Sequence, residues 1–170
     1  MGLISSKEEA ISPTPIISVR SANASDAQAF VRLMKTRIIA VGGVSSKLTA
    51  AKYKQDGFGD NPAFSALVAE IQNEIVGCAV YFPGYDANRA TRGIYLSELY
   101  VDHKWRRLGV GRALIIGTAR ACKHLGGEWM FWSVLKRNKG ARKFYKTIVS
   151  ELSEVVLCAA IGDSFRRLSD

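Results

Sequence analysis

Cysteine and histidine are scarce: three cysteines, Cys78, Cys122 and Cys158, and two histidines, His103 and His124, stand in 170 residues. The cysteines form no CxxC pair, are odd in number and sit among apolar residues, so neither a disulfide framework nor a zinc site is indicated. The histidines have no carboxylates at ligand spacing, and no metal is expected. This cysteine usage fits a reducing compartment, so a cytoplasmic location is expected. Long apolar runs are missing too. The longest, 155–161, falls far below the ~18 residues a membrane helix needs, and no membrane partner is expected. Internal repeats and low-complexity tracts are absent. Acidic side chains are the minority, with 15 against 24 basic ones, and the net charge of +9 favours an anionic ligand.

What remains is ordinary globular composition, 48% hydrophobic and 23% charged. The length suits about one domain of ~150 residues. Residues 1–15 mix Ser, Lys, Glu and Pro without period and read as a flexible tail ahead of a single domain over 16–170. Met1-Gly2 with Ser6 fits the short N-myristoylation pattern, which acts only in a host with the transferase. Periodicity then gives a strand around 17–19 and a helix capped by Ser25-Asp26 with Phe30, Leu33, Met34 and Ile38 on one face. A polar helix over 49–55 lies within an irregular stretch. Strands over 64–71 and 74–82 join through Gln72-Asn73, with Pro83-Gly84 ending the second. Further along come a strand over 93–101, a charged glycine loop, a helix over 110–124, a strand over 129–135, a helix over 138–147, and strands over 154–160 and 164–168. This order implies a three-layer α/β (α+β) domain with about seven strands and about four helices.

The chemistry concentrates in Arg106-Arg107-Leu108-Gly109-Val110-Gly111-Arg112, set between a strand and a helix. First-turn amides of a helix lack intrahelical partners and form a ready anion cradle. Gly109 and Gly111 permit close backbone approach, and the arginines add positive charge. The plain alternative is a tight turn with solvent-facing arginines. There is no GxxxxGK[ST], and the third glycine of a dinucleotide fingerprint is missing, so ATP and NAD are disfavoured. The basic cluster Lys136, Arg137, Lys139, Arg142, Lys143 and Lys146 reads as a solvated helix face.

The loop resembles the acetyl-CoA signature of the GNAT acyltransferase superfamily, [Q/R]-x-x-G-x-[G/A], at Arg106, Gly109 and Gly111. Asn138-x-x-Ala141-x-x-Phe144-Tyr145 resembles its second signature. Asp56-Gly57-Phe58-Gly59, Leu67-Val68-Ala69-Glu70, Ile75-Val76-Gly77, Ala79-Val80-Tyr81-Phe82, Tyr85-Asp86 and Tyr95-Leu96 are similar to the spermidine/spermine (diamine/polyamine) branch. The resemblance covers residues 17–145 and implies a GNAT-type fold with a mixed, mostly antiparallel sheet.

That resemblance implies acetyl-CoA as co-substrate, its pantothenate arm beside Leu99, Tyr100 and Val101. The pyrophosphate would rest on Arg106, Arg107, Leu108, Gly109, Val110, Gly111 and Arg112, with Asn138 and Arg142 as further cofactor contacts. Tyr145 would be the general acid, although a Phe-Tyr pair on a short helix also reads as core packing. Tyr81, Asp86 and Ser97 would face the substrate, a small molecule with a primary amine, either a diamine or polyamine or an amino-acid-like amine. Transfer would be direct, in a ternary complex, within a homodimer. The branch carries two neighbouring carboxylates after its Tyr-Leu, and Ser97 stands in the place of the first. Glu98 follows it, and because successive strand residues face opposite sides, Glu98 takes over that role only where the strand bulges. A buried carboxylate needs a partner or a function, which keeps Glu98 as candidate base against a structural role. The alternative is a weakly catalytic or non-catalytic module docking on nucleic acid or an acidic protein. Nucleic acid is not expected, since Trp129, Phe131 and Trp132 fit an alternating buried strand better than a stacking platform.

Overall fold

The computed structural model describes residues 15–169; the tail expected over 1–15 therefore falls, but for Pro15, outside the described residues, as does the Gly2 pattern. Contacts group the chain into two compact units, one up to Phe131 and one from Trp132 onward. The first contains β1 (Ser18–Ser21), α1 (Ala27–Ala40), α2 (Ala50–Phe58), β2 (Ser65–Ile71), β3 (Glu74–Asp86), β4 (Thr91–Val101), α3 (Val110–His124) and β5 (Gly127–Phe131), with 3-10 turns at Ala24–Asp26 and His103–Trp105. The second contains α4 (Lys139–Tyr145) and α5 (Asp163–Ser169).

The sheet runs in the order β1-β2-β3-β4-β5, antiparallel until β5, which lies parallel to β4. The two helical layers follow from alternation along β2. Ala66 and Val68 join Phe30, Leu33, Met34 and Tyr53 in one buried cluster, which places α1 and α2 on that face. Leu67 meets Gly117 of α3 on the opposite face. The hairpin through Gln72 and Asn73 has both residues at positive φ, 51° and 64°, the geometry of a type I′ turn.

Among the described residues there are five strands and five α-helices, not about seven and four. The run over 154–160 is rich in β-formers but has no ladder neighbour, and a strand without one leaves its amides and carbonyls unpaired. Its apolar side chains Val155, Val156 and Leu157 are exposed. The stretch expected as a last strand folds into α5. There Ser164 Oγ bonds the Ile161 amide at 2.8 Å, Arg166 pairs with Asp163 one turn away, and these local bonds satisfy a helix start without a partner strand. Pro83 does not end β3, which continues to Asp86. Beyond Tyr81 it pairs with β4 alone, so proline sits where one side of the strand has no neighbour to bond. β5 stops at Phe131, short of the expected 135.

The site depends on how closely α3 approaches the sheet. A Cβ on Gly77 would lie 2.9 Å from the Tyr100 carbonyl and 3.2 Å from side-chain carbons of Val110 and Leu114. Replacing Gly77 by Ala should therefore push the start of α3 off the sheet and destabilise the protein by about 1–3 kcal/mol. Urea unfolding measures this, and an unchanged midpoint would show slack at the contact.

Candidate functional site

The end of β4 and the start of α3 are tied together by their own polar groups. Beyond Val101 the Asp102 amide still donates to the Val76 carbonyl at 2.9 Å, and the Asp102 carboxylate caps the following 3-10 turn through the Lys104 amide. Arg106 folds back: its Nε donates to the Val101 carbonyl at 3.0 Å, and its guanidinium lies 5.6 Å from the centre of the Tyr100 ring. Arg107 and Gly109 then take left-handed conformations, φ 68° and 91°, which turn the chain into the helix. Gly109 is the N-cap and offers no side-chain cap, and the first helical bond runs from the Ala113 amide to the Gly109 carbonyl. The amides of Val110, Gly111 and Arg112 therefore have no intrahelical acceptor and lie at the positive end of the helix dipole.

Side chains around these amides divide cleanly. Val110 is buried against the sheet and presents only backbone outward, while Tyr100 is in the core. Arg107, Leu108 and Arg112 are exposed. Arg106, expected beside Arg107 and Arg112 at the anion, is exposed as well, with its Nε held on β4. β5 pairs with β4 only over Arg92 to Tyr95, so from Leu96 to Val101 β4 is bonded to β3 alone among the described strands. Leu99, Tyr100 and Val101 thus lie on a half-open strand edge whose outward amides and carbonyls can accept another extended chain.

The bulge that Glu98 required is present. Val80 pairs with Glu98 and Tyr81 with Leu96, leaving Ser97 as the extra residue. Phe82 pairs with Tyr95, and because residues directly opposite share a face, Tyr95 and Glu98 lie on one face although three positions apart. The Ser97 hydroxyl holds the bulge by donating to the Val80 carbonyl at 3.1 Å. Glu98 is half-buried, and Arg37 of α1 pairs with its Oε2. Burial pushes the Glu98 carboxyl above its ordinary value, and Arg37 pulls it part of the way back.

Glu98 borders a cleft of about 230 Å³ walled by Phe30, Met34, Ile38, Leu48 and Phe64, with Arg37, Ser46 and Val80 completing it. None of the three residues expected to face substrate lines this cleft, and Ser97 is the chain neighbour of Glu98. Tyr81 points to the opposite face, buried and paired across to Leu96, with its phenol raised by desolvation. Asp86 lies six residues beyond Val80, roughly 20 Å along the strand, where it accepts from the Asn88 and Arg89 amides and closes the β3-β4 turn. Sequence reading missed Arg37. Its signal is a charge three residues after Met34 and seven after Phe30, on the stripe of α1 that otherwise faces the core.

The second unit holds the remaining expected residues. Asn138 caps α4, its Oδ1 accepting from the Ala141 amide at 3.1 Å. Arg142 forks onto Glu151 at 2.6 and 2.9 Å. Tyr145 is half-buried, its ring 5.3 Å from those of Trp132 and Phe144. Lys139, Arg142, Lys143 and Lys146 line a basic groove along α4. Among the described residues no three His, Cys, Asp or Glu side chains gather as a metal site, and no helix is long and apolar enough to cross a membrane.

Residues 32–148 match the acetyltransferase (GNAT) family. A pig thialysine N-epsilon-acetyltransferase is 34% identical over 110 residues, covering 60% of this chain and 64% of that enzyme. The human spermidine/spermine N(1)-acetyltransferase-like protein 1 is 33% identical over 105 residues, 57% of this chain and 15% of that protein. The chain thus spans less than two thirds of either relative. A solved integron cassette protein from the mobile metagenome of V. cholerae shares the fold, with a TM-score of 0.78 at 20% identity over 90% of this chain and 97% of its own.

The Glu98 environment has a thermodynamic signature. A carboxyl whose native pKa lies above its unfolded value stabilises the fold below the unfolded value, and that contribution is lost as pH rises through the native one. Relative to Glu98→Gln, the wild-type protein should therefore lose unfolding free energy as pH rises from 4 through neutrality. Urea titrations of both proteins across that range test it; a difference independent of pH would show that the carboxyl is not raised.

Proposed function

Because the chain belongs to the acetyltransferase (GNAT) family, we propose that it is an acetyl-CoA-dependent N-acetyltransferase that moves an acetyl group directly to the primary amine of a small molecule. What carries this reading is the uncapped start of α3 behind Gly109, beside the half-open edge of β4. A diphosphate fits there: three outward amides, the exposed Arg107 and Arg112, and a glycine cap with no side chain in the way. Arg106 serves by fixing the end of β4.

Acetyl-CoA, when bound, supplies an acyl thioester whose carbonyl carbon takes the amine. This chain's residues do the rest. The outward amides of Leu99 and Val101 hold the arm as an added strand and polarise the carbonyl through oriented donors. An alkyl ammonium with a pKa near ~10.4 is almost wholly protonated at pH 7, so its proton must be removed before nitrogen can attack. Glu98, in its half-buried cleft with a raised pKa, accepts that proton. Tyr145 gives a proton to the departing sulfur, an assignment resting on the match of its motif. Ser97 contributes the bulge that brings Glu98 into place. The acceptor is a diamine, a polyamine or an amino-acid-like amine. A homodimer in the cytoplasm belongs to the same proposal.

Calorimetric titration with acetyl-CoA should show saturable binding that weakens as salt rises, since the contacts are charged. Absence of binding at low salt would sink the proposal. Tyr145→Phe should lower kcat about a hundredfold with acetyl-CoA affinity nearly kept; an unchanged kcat removes Tyr145 from the reaction. Glu98→Gln should abolish the acidic limb of the pH profile of kcat/KM, and a retained limb assigns the proton to another group.

A further inference from the structure

The cleft in front of Glu98 contains one positive and one negative side chain, Arg37 and Glu98, and the rest of its wall is apolar but for Ser46 and backbone. Its formal charge is zero. A cleft built for a polycation needs several carboxylates, and this one sets a guanidinium beside its only acid. Arg37 stands on the apolar stripe of α1, where a charge is costly to place.

Arg37 also keeps spare capacity. A guanidinium carries five N–H donors in a fixed fork suited to carboxylates. The Glu98 contact runs through a single terminal nitrogen of that fork, Nη2. A ligand carrying both an ammonium and a carboxylate can replace this single contact with two, ammonium to Glu98 and carboxylate to Arg37. A diamine can satisfy Glu98 but confronts Arg37 with a like charge, which is unfavourable in a partly desolvated cleft.

We infer that Arg37 is a specificity-determining residue that anchors a carboxylate of the acceptor, so that the enzyme takes amino acids in preference to diamines and polyamines. This rests on the acetyltransferase reading above and narrows its acceptor. A guanidinium present only to neutralise Glu98 would make no distinction between an amino acid and its decarboxylated counterpart.

The test is CoA release by the full chain with acetyl-CoA and matched acceptors: lysine against 1,5-diaminopentane, ornithine against 1,4-diaminobutane, and spermidine. The amino acid of each pair should show the higher kcat/KM by tenfold or more, and Arg37→Met should shrink that ratio at least tenfold. Arg37→Lys, which keeps the charge and loses the fork, should give an intermediate ratio and serves if the Met variant does not fold. A wild-type preference for the diamines or spermidine, or a ratio unmoved by both substitutions, overturns the assignment of Arg37 and leaves the acetyltransferase reading standing. Silence with every amine while acetyl-CoA still binds overturns both.

Discussion

Ser97 is the one residue of β4 between Thr91 and Val101 that has no partner in β3, and the order of side chains along the rest of the strand follows from it. Strict alternation would have set Glu98 and Tyr95 on opposite faces. The extra residue re-phases the strand, so Glu98 opens onto the α1 face while Tyr100, two residues on, still fills the core. A serine hydroxyl is short enough to bond the facing carbonyl and hold the bulge.

The second element of the site depends on backbone more than on side chains. Gly77 lets α3 close on the sheet, Val110 is sealed beneath the first helical turn, and Arg106 is drawn back to the Val101 carbonyl. Amides are left as the principal outward polar groups of the turn, with two arginines at its flank. A ligand recognised through main-chain donors imposes few demands on residue identity beyond glycine at the turn. The short motif is legible for that reason.

Legibility varied with how local the determining interaction was. α3 and its glycine loop follow from a 3.6-residue period and a φ of 91° at Gly109. The β2-β3 hairpin follows from a two-residue turn whose Asn tolerates positive φ. The bulge had no such signal, because register is decided across strands and not along one. The 154–160 run was misread because β-rich composition says a segment can be a strand and not whether a neighbour is available to pair with it. Pro83 was read as a terminator, yet it sits where β3 has lost one neighbour. Asp86 closes a turn through its Asn88 and Arg89 bonds, which its sequence context does not reveal. Arg37 was readable in principle, as a charge in phase with the apolar stripe of its helix.

The exposed run around Val155, Val156 and Leu157 has a bearing on how this protein behaves at high concentration. An unladdered, β-prone stretch without proline or charge is the kind of segment that templates self-association. Mutual repulsion between chains of net charge +9 is the opposing force. Its range contracts to about 10 Å at 0.1 M salt. Colloidal stability is therefore tied to ionic strength, and a dilute buffer keeps the molecules dispersed.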